Sequence, residues 1–276
     1  MFKYSSTVAI AAAFLFSGVA KAGLSGCAQN LAIQLTNVFQ IGQISFQYSN
    51  CEKDNEGKGY VAGIANFCTG TGDAWDVVQA YHELTGGNDS FTKLDDVLAE
   101  RAKSGSGSTS GLSEFCDTWQ SLALDNKFWS AQGTVFDKLY FSPSQKHADN
   151  LGLTLSVSQA ALYDTAISLG AGDEKGSLGG IIEETNKSIT EDVSDGDSGS
   201  TLTINGHKID EIEWLNKFLE VRAEYEDEGT SNISILSYKY IIEKKEYKWD
   251  HEIEVLNNEG DVGSVTCDNS YIPYLG

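Results

Sequence analysis

Apolar residues recur at intervals of three and four along most of this chain, and this helical period is the feature that most constrains its fold. By this spacing the clearest helical segments are Ala28 to Gln40, Phe115 to Leu122, Phe128 to Tyr140, Val157 to Leu169 and Ile209 to Tyr225. Strand-like alternation is limited to Ile44, Phe46 and Tyr48. With few strand signals and only 2 prolines among 276 residues, the sequence predicts a mainly helical α+β fold with a small sheet.

Residues 1–22 have the pattern of a secretory signal peptide. Lys3 precedes an apolar run from Val8 to Val19, and Ala20-Lys21-Ala22 has the form of a cleavage site. We expect this segment to be removed and residues 23–276 to be secreted, forming one large domain or two lobes. No later apolar stretch is long enough to cross a bilayer, so no membrane partner is expected.

The chain has 5 cysteines, which are Cys27, Cys51, Cys68, Cys116 and Cys267. A secreted location permits disulfide bonds. Because the number is odd, at least one cysteine is unpaired or pairs between molecules. Composition and spacing leave the connectivity open.

The net charge of −21 is spread along the chain rather than concentrated in a tail. A broad negative field repels phosphate backbones, so nucleic acid is not an expected partner. A polycation is a better electrostatic match. Acidity that serves only solubility explains the same composition equally well at this stage.

Several short segments indicate loops and helix ends. Two stretches rich in Ser and Gly, Ser104 to Gly111 and Asp192 to Ser200, have the composition of flexible connectors. Thr71 is placed to cap a helix that has Asp73 in its first turn. The histidines are scattered and no Cys-x-x-Cys occurs, so neither a metal site nor a cofactor is predicted.

The segment Gly59 to Asp73 reads G-Y-x-A-G-I-x-x-F-C-T-G-T-G-D and resembles the family 46 chitosanases. The resemblance continues, in the same order as in that family, in Leu35-Thr36-x-x-Phe39, Phe46-Gln47-Tyr48-x-x-Cys51-Glu52, Phe115-Cys116-x-x-Trp119, Leu139-Tyr140-Phe141-x-Pro143, Gln159-Ala160-x-x-Tyr163-Asp164 and Phe218-Leu219-x-x-Arg222. These segments cover nearly all of the chain after residue 22.

The resemblance implies a lysozyme-like helical fold of two lobes, with a small sheet beside a substrate cleft. It implies a glycoside hydrolase that cuts β-1,4 linkages in chitosan or partly deacetylated chitin by an inverting mechanism. It also implies that Cys51 pairs with Cys116, and a monomer without a cofactor is expected.

This sequence departs from the family at the positions that carry the chemistry. An inverting glycosidase needs one carboxylic acid and one carboxylate on opposite faces of the sugar. The resemblance places Gln40 at the acid position, and an amide cannot transfer a proton. It places Glu56 at the base position, where the family has Asp, and the extra methylene moves the carboxylate by about 1 Å. Lys58 replaces an Arg and Val61 replaces a Thr.

Other matching positions carry binding and supporting roles. Asp73 and Glu52 are expected to hold glucosamine ammonium groups by charge-assisted hydrogen bonds. Tyr60 is equally consistent with a stacking platform and with a core residue, whereas Tyr48 is expected in the core. Asp164 and Arg222 are expected to pair behind the acid position. A second Arg of the family aligns with Asn232 here.

Three functions remain open at this stage. The first is a secreted chitosanase-family hydrolase with Glu56 as base and catalysis weakened or reorganised at Gln40. The second is a catalytically inactive, lectin-like chitosan-binding protein on the same scaffold. The third is a purely structural secreted protein.

Overall fold

A computed structural model of the chain describes residues 23–193, 196–226 and 232–275. Its helices are α1 (Gly26–Ile41), α2 (Asp73–Thr85), α3 (Asp95–Ser104), α4 (Phe115–Ser121), α5 (Asn126–Phe136), α6 (Ser142–Leu151), α7 (Ser156–Leu169), α8 (Leu178–Lys187), α9 (Glu211–Ala223) and α10 (Asn232–Glu243). A single π-helical segment, Asp137–Phe141, joins α5 to α6. The predicted mainly helical class is confirmed.

In the described residues, the strands form three small antiparallel sheets. They are β1 (Cys51–Lys53), β2 (Tyr60–Ala62), β3 (Phe67–Cys68), β4 (Thr201–Ile204), β5 (His207–Asp210), β6 (Ile253–Leu256) and β7 (Val262–Val265). The first sheet has the order β1-β2-β3, and the other two are the hairpins β4-β5 and β6-β7. The first sheet positions the candidate site, because the β1–β2 turn contains Glu56.

Helix α7 is the centre of the second lobe. All residues from Val157 to Ala166 are buried, which is expected of a helix that is covered on every side. The helix contacts α1, α6, α8, α9 and α10. The first lobe packs around Trp119, whose ring lies 4.8 Å from that of Phe128 and 6.5 Å from that of Phe67. There α2 packs on α5 and α3, and α4 packs on β1 and β2.

The predicted helices over residues 28–40, 115–122 and 157–169 are confirmed, and their ends differ by a few residues. The segment Phe128 to Tyr140 is helical, but α5 ends at Phe136 and the chain continues as the π-helical segment. The segment Ile209 to Tyr225 begins as strand, since Ile209 pairs with Leu202. Asp210 then caps α9 by accepting from the Ile212 N–H at 2.9 Å.

The predicted strand over Ile44, Phe46 and Tyr48 is wrong. These residues form bends and a turn between α1 and β1. The alternation arises because Phe46 and Tyr48 turn inward, and the Phe46 ring lies 5.2 Å from that of Phe136. No neighbouring strand pairs with this segment in the described parts of the chain. Alternate residues of a loop that turn inward give the same apolar alternation as a paired strand, so the sequence could not distinguish the two structures.

The predicted cap at Thr71 is also wrong. Helix α2 begins after Gly72, which has φ +98°, and no side chain caps it. The Thr71 hydroxyl instead donates to Asp73 Oδ2 at 3.0 Å. A glycine takes this left-handed conformation easily, so the chain turns into the helix one residue later than predicted. Asp73 lies in the first turn, as predicted.

Two disulfides close the fold. Cys51 pairs with Cys116, as the resemblance implied, and Cys27 pairs with Cys267, which joins the two ends of the described chain. Cys68 is free and buried. In the chain-entropy account, loops of these lengths stabilise the fold by about 4 kcal/mol for Cys51–Cys116 and about 5.5 kcal/mol for Cys27–Cys267.

The predicted signal peptide, residues 1–22, lies outside the described residues, as do Ser194 and Asp195 of the second predicted connector. Across the described ranges, the helices all fall short of the length and apolarity needed to span a bilayer. The connector residues described on either side of residues 194–195 are held by hydrogen bonds. Lys208 N–H donates to Asp192 Oδ1 at 2.9 Å, and Ser198 Oγ donates to Asp210 Oδ2 at 2.7 Å.

Asp137, in the π-helical segment, generates a prediction about pH. Its Oδ1 accepts from the Tyr274 hydroxyl at 3.1 Å, and burial raises the pKa of Asp137 to about 6. Since the folded pKa lies above the ordinary value, this group stabilises the fold most at acid pH, and the contribution is lost as pH rises through 6. We expect Asp137→Asn to raise the free energy of unfolding above neutral pH by about 2–3 kcal/mol.

Urea unfolding at about pH 4 and about pH 8 measures this difference. The exposed carboxylate of Asp117 provides the control variant, Asp117→Asn, which should change the pH dependence little. If Asp137→Asn and wild type lose the same stability between the two pH values, the burial argument fails.

Candidate active site

One carboxylate shapes the loop between β1 and β2. Asp54 Oδ2 accepts hydrogen bonds from the N–H groups of Glu56 at 2.8 Å and Lys58 at 2.7 Å. The Asp54 N–H donates to the Gly59 carbonyl at 2.9 Å and closes the loop. An aspartate that accepts from its own downstream backbone is a common means of holding a tight turn. Asp54 therefore holds the loop, and Glu56 lies at its tip.

Glu56 forms an ion pair with Lys58. Its Oε2 lies 2.6 Å from Lys58 Nζ, and the two side chains are 72% and 51% exposed. The hydrogen bond to Glu56 and the charge of Glu56 raise the pKa of Lys58. A pair this exposed contributes little to stability. The Glu56 carboxylate is thus open to solvent and to a ligand, with a cation beside it.

Residues 104–111, predicted to be a flexible connector, instead form an ordered strap over the Glu56 loop. Arg101 Nε donates to the Ser108 carbonyl at 2.8 Å, and Arg101 Nη2 donates to the Ser110 carbonyl at 3.0 Å. Gly107 packs so closely that a Cβ there would lie 1.7 Å from the Gly57 carbonyl oxygen. The prediction was wrong because composition shows how flexible a free segment is, but not which hydrogen bonds hold it.

The first sheet sorts the site residues onto two faces. Glu52 pairs with Val61, and Val61 pairs with Cys68, so these three side chains share one face. Tyr60, next along β2, belongs to the opposite face, where its ring stacks on Phe115 at 5.7 Å. The Tyr60 ring is half-buried and contributes to packing, and its contact to sugar stays a prediction. Tyr48 is buried, as predicted.

Asp73, in the first turn of α2, interacts with Tyr140 and Cys68. Burial raises the pKa of Tyr140, and the charges of Asp73 and then Cys68 add to this effect. Burial also raises the pKa of Cys68, which interacts electrostatically with Asp73 and Lys58. Asp73 and Cys68 therefore lie near Tyr140, and Lys58 lies near Cys68.

Gln40, which is exposed, lines an open pocket of about 160 Å³ at the junction of the lobes. The pocket is formed by α1, the turn after β2, α7 and the segment that joins α5 to α6, and it is lined by Thr36, Asn37, Gln40, Ile41, Ile64, Ala65, Asn66, Phe136, Tyr140 and Ile167. None of these side chains is a carboxylate. Gln40 Nε2 donates to Ser168 Oγ at 3.1 Å, which ties the end of α1 to α7.

Behind Gln40 lies a buried cluster of charges centred on Arg222. Its Nη1 donates to Asp164 Oδ2 at 2.7 Å, its Nε donates to Glu226 Oε1 at 2.7 Å, and its Nη2 donates to Ser168 Oγ at 3.4 Å. The side chains of Arg222 and Asp164 are 0% exposed and that of Glu226 is 6% exposed. Burial lowers the pKa of Arg222, and the carboxylates of Asp164 and Glu226 more than reverse this effect.

The sequence anticipated the contact between Asp164 and Arg222 but missed Ser168 and Glu226. Ser168 lies four residues after Asp164 on α7, and Glu226 lies four residues after Arg222, just past the end of α9. The i,i+4 spacing of helical neighbours was therefore the signal that could have found them. The side chain of Asn232, aligned with a second family Arg, lies outside the described residues.

A further residue that sequence reasoning missed is Tyr238, on α10. Its ring lies 6.3 Å from that of Phe39, the residue before Gln40. Burial, with a smaller effect from the charge of Asp164, raises its pKa well above the ordinary value. A neutral phenol thus fills the space beside the Asp164–Arg222 pair and the end of α1.

The predicted site residues fall into two groups. Gln40, Ser168 and the Arg222 cluster form one group, and Glu56, Lys58, Glu52, Val61 and Asp73 form the other. Tyr140 belongs to both, since it lines the Gln40 pocket and interacts with Asp73. Within the described parts of the chain, no group of three or more His, Cys, Asp or Glu side chains is arranged to hold a metal ion.

Comparisons with known proteins identify the family of this chain. Residues 34–239 match the family model described as glycosyl hydrolase family 46. A chitosanase from Bacillus subtilis (strain 168) is 36% identical over 252 residues, which cover 86% of this chain and 85% of that protein.

Solved structures give the same result. The crystal structure of native chitosanase from Bacillus subtilis MY002 aligns with a TM-score of 0.72 and 32% identity over 88% of this chain and 100% of that one. A mutant chitosanase from the same source, complexed with 6 GlcN, aligns with a TM-score of 0.71 and 33% identity over the same shares of the two chains. The expected lysozyme-like fold is confirmed by these neighbours.

The strap generates a prediction about the Glu56 loop. Because a Cβ at residue 107 would meet the Gly57 carbonyl, Gly107→Ala must displace one of the two backbones. We expect it to lower the free energy of unfolding by about 1–3 kcal/mol and to speed hydrogen exchange at the amides of Glu56 and Lys58. Mass spectrometry of exchanged peptides and thermal unfolding measure the two effects.

Gly263→Ala is the matched control, because nothing lies within 4 Å of a Cβ at that position. It should leave both measurements near their wild-type values. Unchanged exchange in the Gly107→Ala loop would show that the strap does not hold Glu56 in place.

Proposed function

The chain belongs to glycosyl hydrolase family 46, and we propose that its cleft binds chitosan and cuts the β-1,4 bonds only slowly. The substrate follows from relatives that are named chitosanases, one of which was crystallised with 6 GlcN. The net charge of −21 is complementary to a polymer of ammonium groups. A secreted location is part of the proposal, and it fits the two disulfides.

Substrate binding is assigned to carboxylates that have no strong partner of their own. Asp73 accepts only from the Thr71 hydroxyl among the hydrogen bonds of its described surroundings, and Glu52 is exposed beside Val61. Such groups can accept charge-assisted hydrogen bonds from glucosamine. Lys58 neutralises Glu56 until a substrate ammonium or a water competes for that carboxylate. For Tyr60, a contact to sugar stays a prediction.

Glu56 is the proposed base of an inverting reaction. A base must activate a water on the face of the sugar opposite the acid, and an exposed carboxylate at a loop tip can reach such a water. Its reach differs from that of an aspartate by about 1 Å, which alone can cost on the order of 10²-fold. Val61, on the adjoining strand, has no hydroxyl to hold the water.

Slow hydrolysis is proposed because of the amide at residue 40. The Gln40 amide faces a pocket whose lining includes no carboxylate, so no described neighbour replaces the missing acid there. General acid catalysis contributes about 10²–10⁴-fold, equivalent to about 3–5 kcal/mol.

A non-hydrolytic chitosan-binding protein is the second candidate, and the same pocket favours it. Residue 40 lacks a proton donor, and the carboxylate of Glu56 is displaced relative to that of an aspartate. If both effects slow the reaction, little hydrolysis remains while the acidic surface is unchanged. The two candidates share a ligand and differ only in turnover, so a single assay separates them.

The acid position gives the first functional prediction. We expect Gln40→Glu to raise the rate of reducing-end release from chitosan about 10²-fold or more. Gln79→Glu, with the same charge change on the exposed face of α2, controls for general acidity. If wild type and variant both hydrolyse chitosan rapidly and at the same rate, residue 40 is not the acid position. If both are equally slow, Glu56 or Val61 is the limiting residue.

Binding gives a second prediction, which is independent of turnover. Fully deacetylated chitosan should bind the wild type, and its Kd should increase steeply with ionic strength because exposed carboxylates hold the ammonium groups. Calorimetric titration at low and high salt measures this. Salt-independent binding would contradict the electrostatic mechanism, and absent binding would contradict the proposed substrate.

A further inference from the structure

A second groove, of about 670 Å³, lies next to the Gln40 pocket, on the other side of Asn66. The residues that matter for its chemistry are Gln43, Gln47, Asn50, Gln120, Leu124 and Trp129. Resting on the proposed chitosan-binding function, we infer that this groove binds the uncharged, N-acetylated units of partly acetylated chitosan.

Charge is the first argument. The whole chain carries 40 acidic residues, yet none of the side chains that line this groove is charged. An ammonium group would find no carboxylate there and would lose part of its hydration without compensation. Side-chain amides both donate and accept, which suits sugar hydroxyls and acetamide groups.

Apolar surface beside the amides is the second argument. Trp129 lines the groove and is half-buried. Its Nε1 already donates to the Ala123 carbonyl at 2.7 Å, so the surface it offers to a ligand is the apolar part of the ring. Leu124 stands beside it and is 87% exposed. A single exposed leucine is ordinary, but next to an aromatic ring it gives a patch that can cover an acetyl methyl group or the C–H face of a sugar.

Hydrogen bonds and a disulfide hold the floor of the groove in place without a ligand. The Tyr48 carbonyl accepts from Trp119 Nε1 at 3.0 Å and from Gln132 Nε2 at 3.2 Å. Cys51, which also lines the groove, is fixed by its disulfide to Cys116. Binding to such a surface orders few protein groups, which lowers its entropic cost.

The groove shares a wall with the cleft. Asn50 Nδ2 donates to Asn66 Oδ1 at 3.2 Å, and Asn66 lines the Gln40 pocket while Asn50 lines the groove. Ile41 and Gln43, two residues apart, line the pocket and the groove respectively. A polymer that leaves the pocket past Asn66 therefore enters an uncharged surface.

The test is a change in acetylation preference. Kd is measured for two chitosans of matched length, one fully deacetylated and one partly N-acetylated. We expect Gln47→Glu, which puts a carboxylate in the groove, to shift the ratio of the two Kd values about 3–5-fold toward the deacetylated polymer. Gln79→Glu, exposed on α2, should leave the ratio unchanged.

The outcomes are distinguishable from those of the proposed function. If both polymers bind but Gln47→Glu and Gln79→Glu shift the ratio equally, the groove inference is overturned and chitosan binding stands. If neither polymer binds, the proposed function fails, and the groove is tested alone with triacetylchitotriose. That trimer should shift the Trp129 indole NMR signal, identified by its loss in Trp129→Phe, whereas deacetylated chitotriose should not. No shift with the acetylated trimer overturns the inference.

Discussion

The buried guanidinium of Arg222 is the interaction on which the rest of the site depends. A fully buried cation is tolerated only when carboxylates and hydrogen bonds replace its hydration, and here Asp164, Glu226 and Ser168 do so. Because these partners come from α7 and the end of α9, the cation fixes how the two helices pack. Ser168 extends the same cluster to Gln40. Through Ser168, the Arg222 cluster helps to position the side chain of Gln40.

This arrangement explains why an amide is stable at residue 40. The cluster pairs one guanidinium with two carboxyl groups, so it holds more acidic than basic groups before residue 40 is considered. A carboxylate added beside Ser168 would be repelled by the negative charge of the acidic groups, which favours its protonated form. Gln40 avoids the repulsion and still donates a hydrogen bond. The same repulsion is what would keep a restored carboxyl protonated, as a general acid requires.

The sequence predicted those parts of the molecule in which local pattern and tertiary burial agree. Helix α7 and the Asp164–Arg222 contact follow from a helical stripe and from the need to pair a buried cation. The segment from Ile44 to Tyr48 was misread because inward-turning aromatics imitate a strand, and residues 104–111 were misread because Arg101 orders a segment whose composition is flexible. Ser168 and Glu226 depend on which helices meet, and one sequence alone does not give that.

The two parts of the site rely on different physics, and this decides what a substitution can remove. Glu56 is held by a loop of backbone hydrogen bonds and close glycine contacts, whereas Gln40 is held by a buried charge cluster. Polymer binding draws on exposed carboxylates distributed over the surface, so the loss of one changes the total field only slightly. Proton transfer requires one particular atom within hydrogen-bond reach of the leaving oxygen. Under the proposed function, the exchange of one oxygen for an NH₂ group at residue 40 would therefore remove proton donation and leave polymer binding almost unchanged.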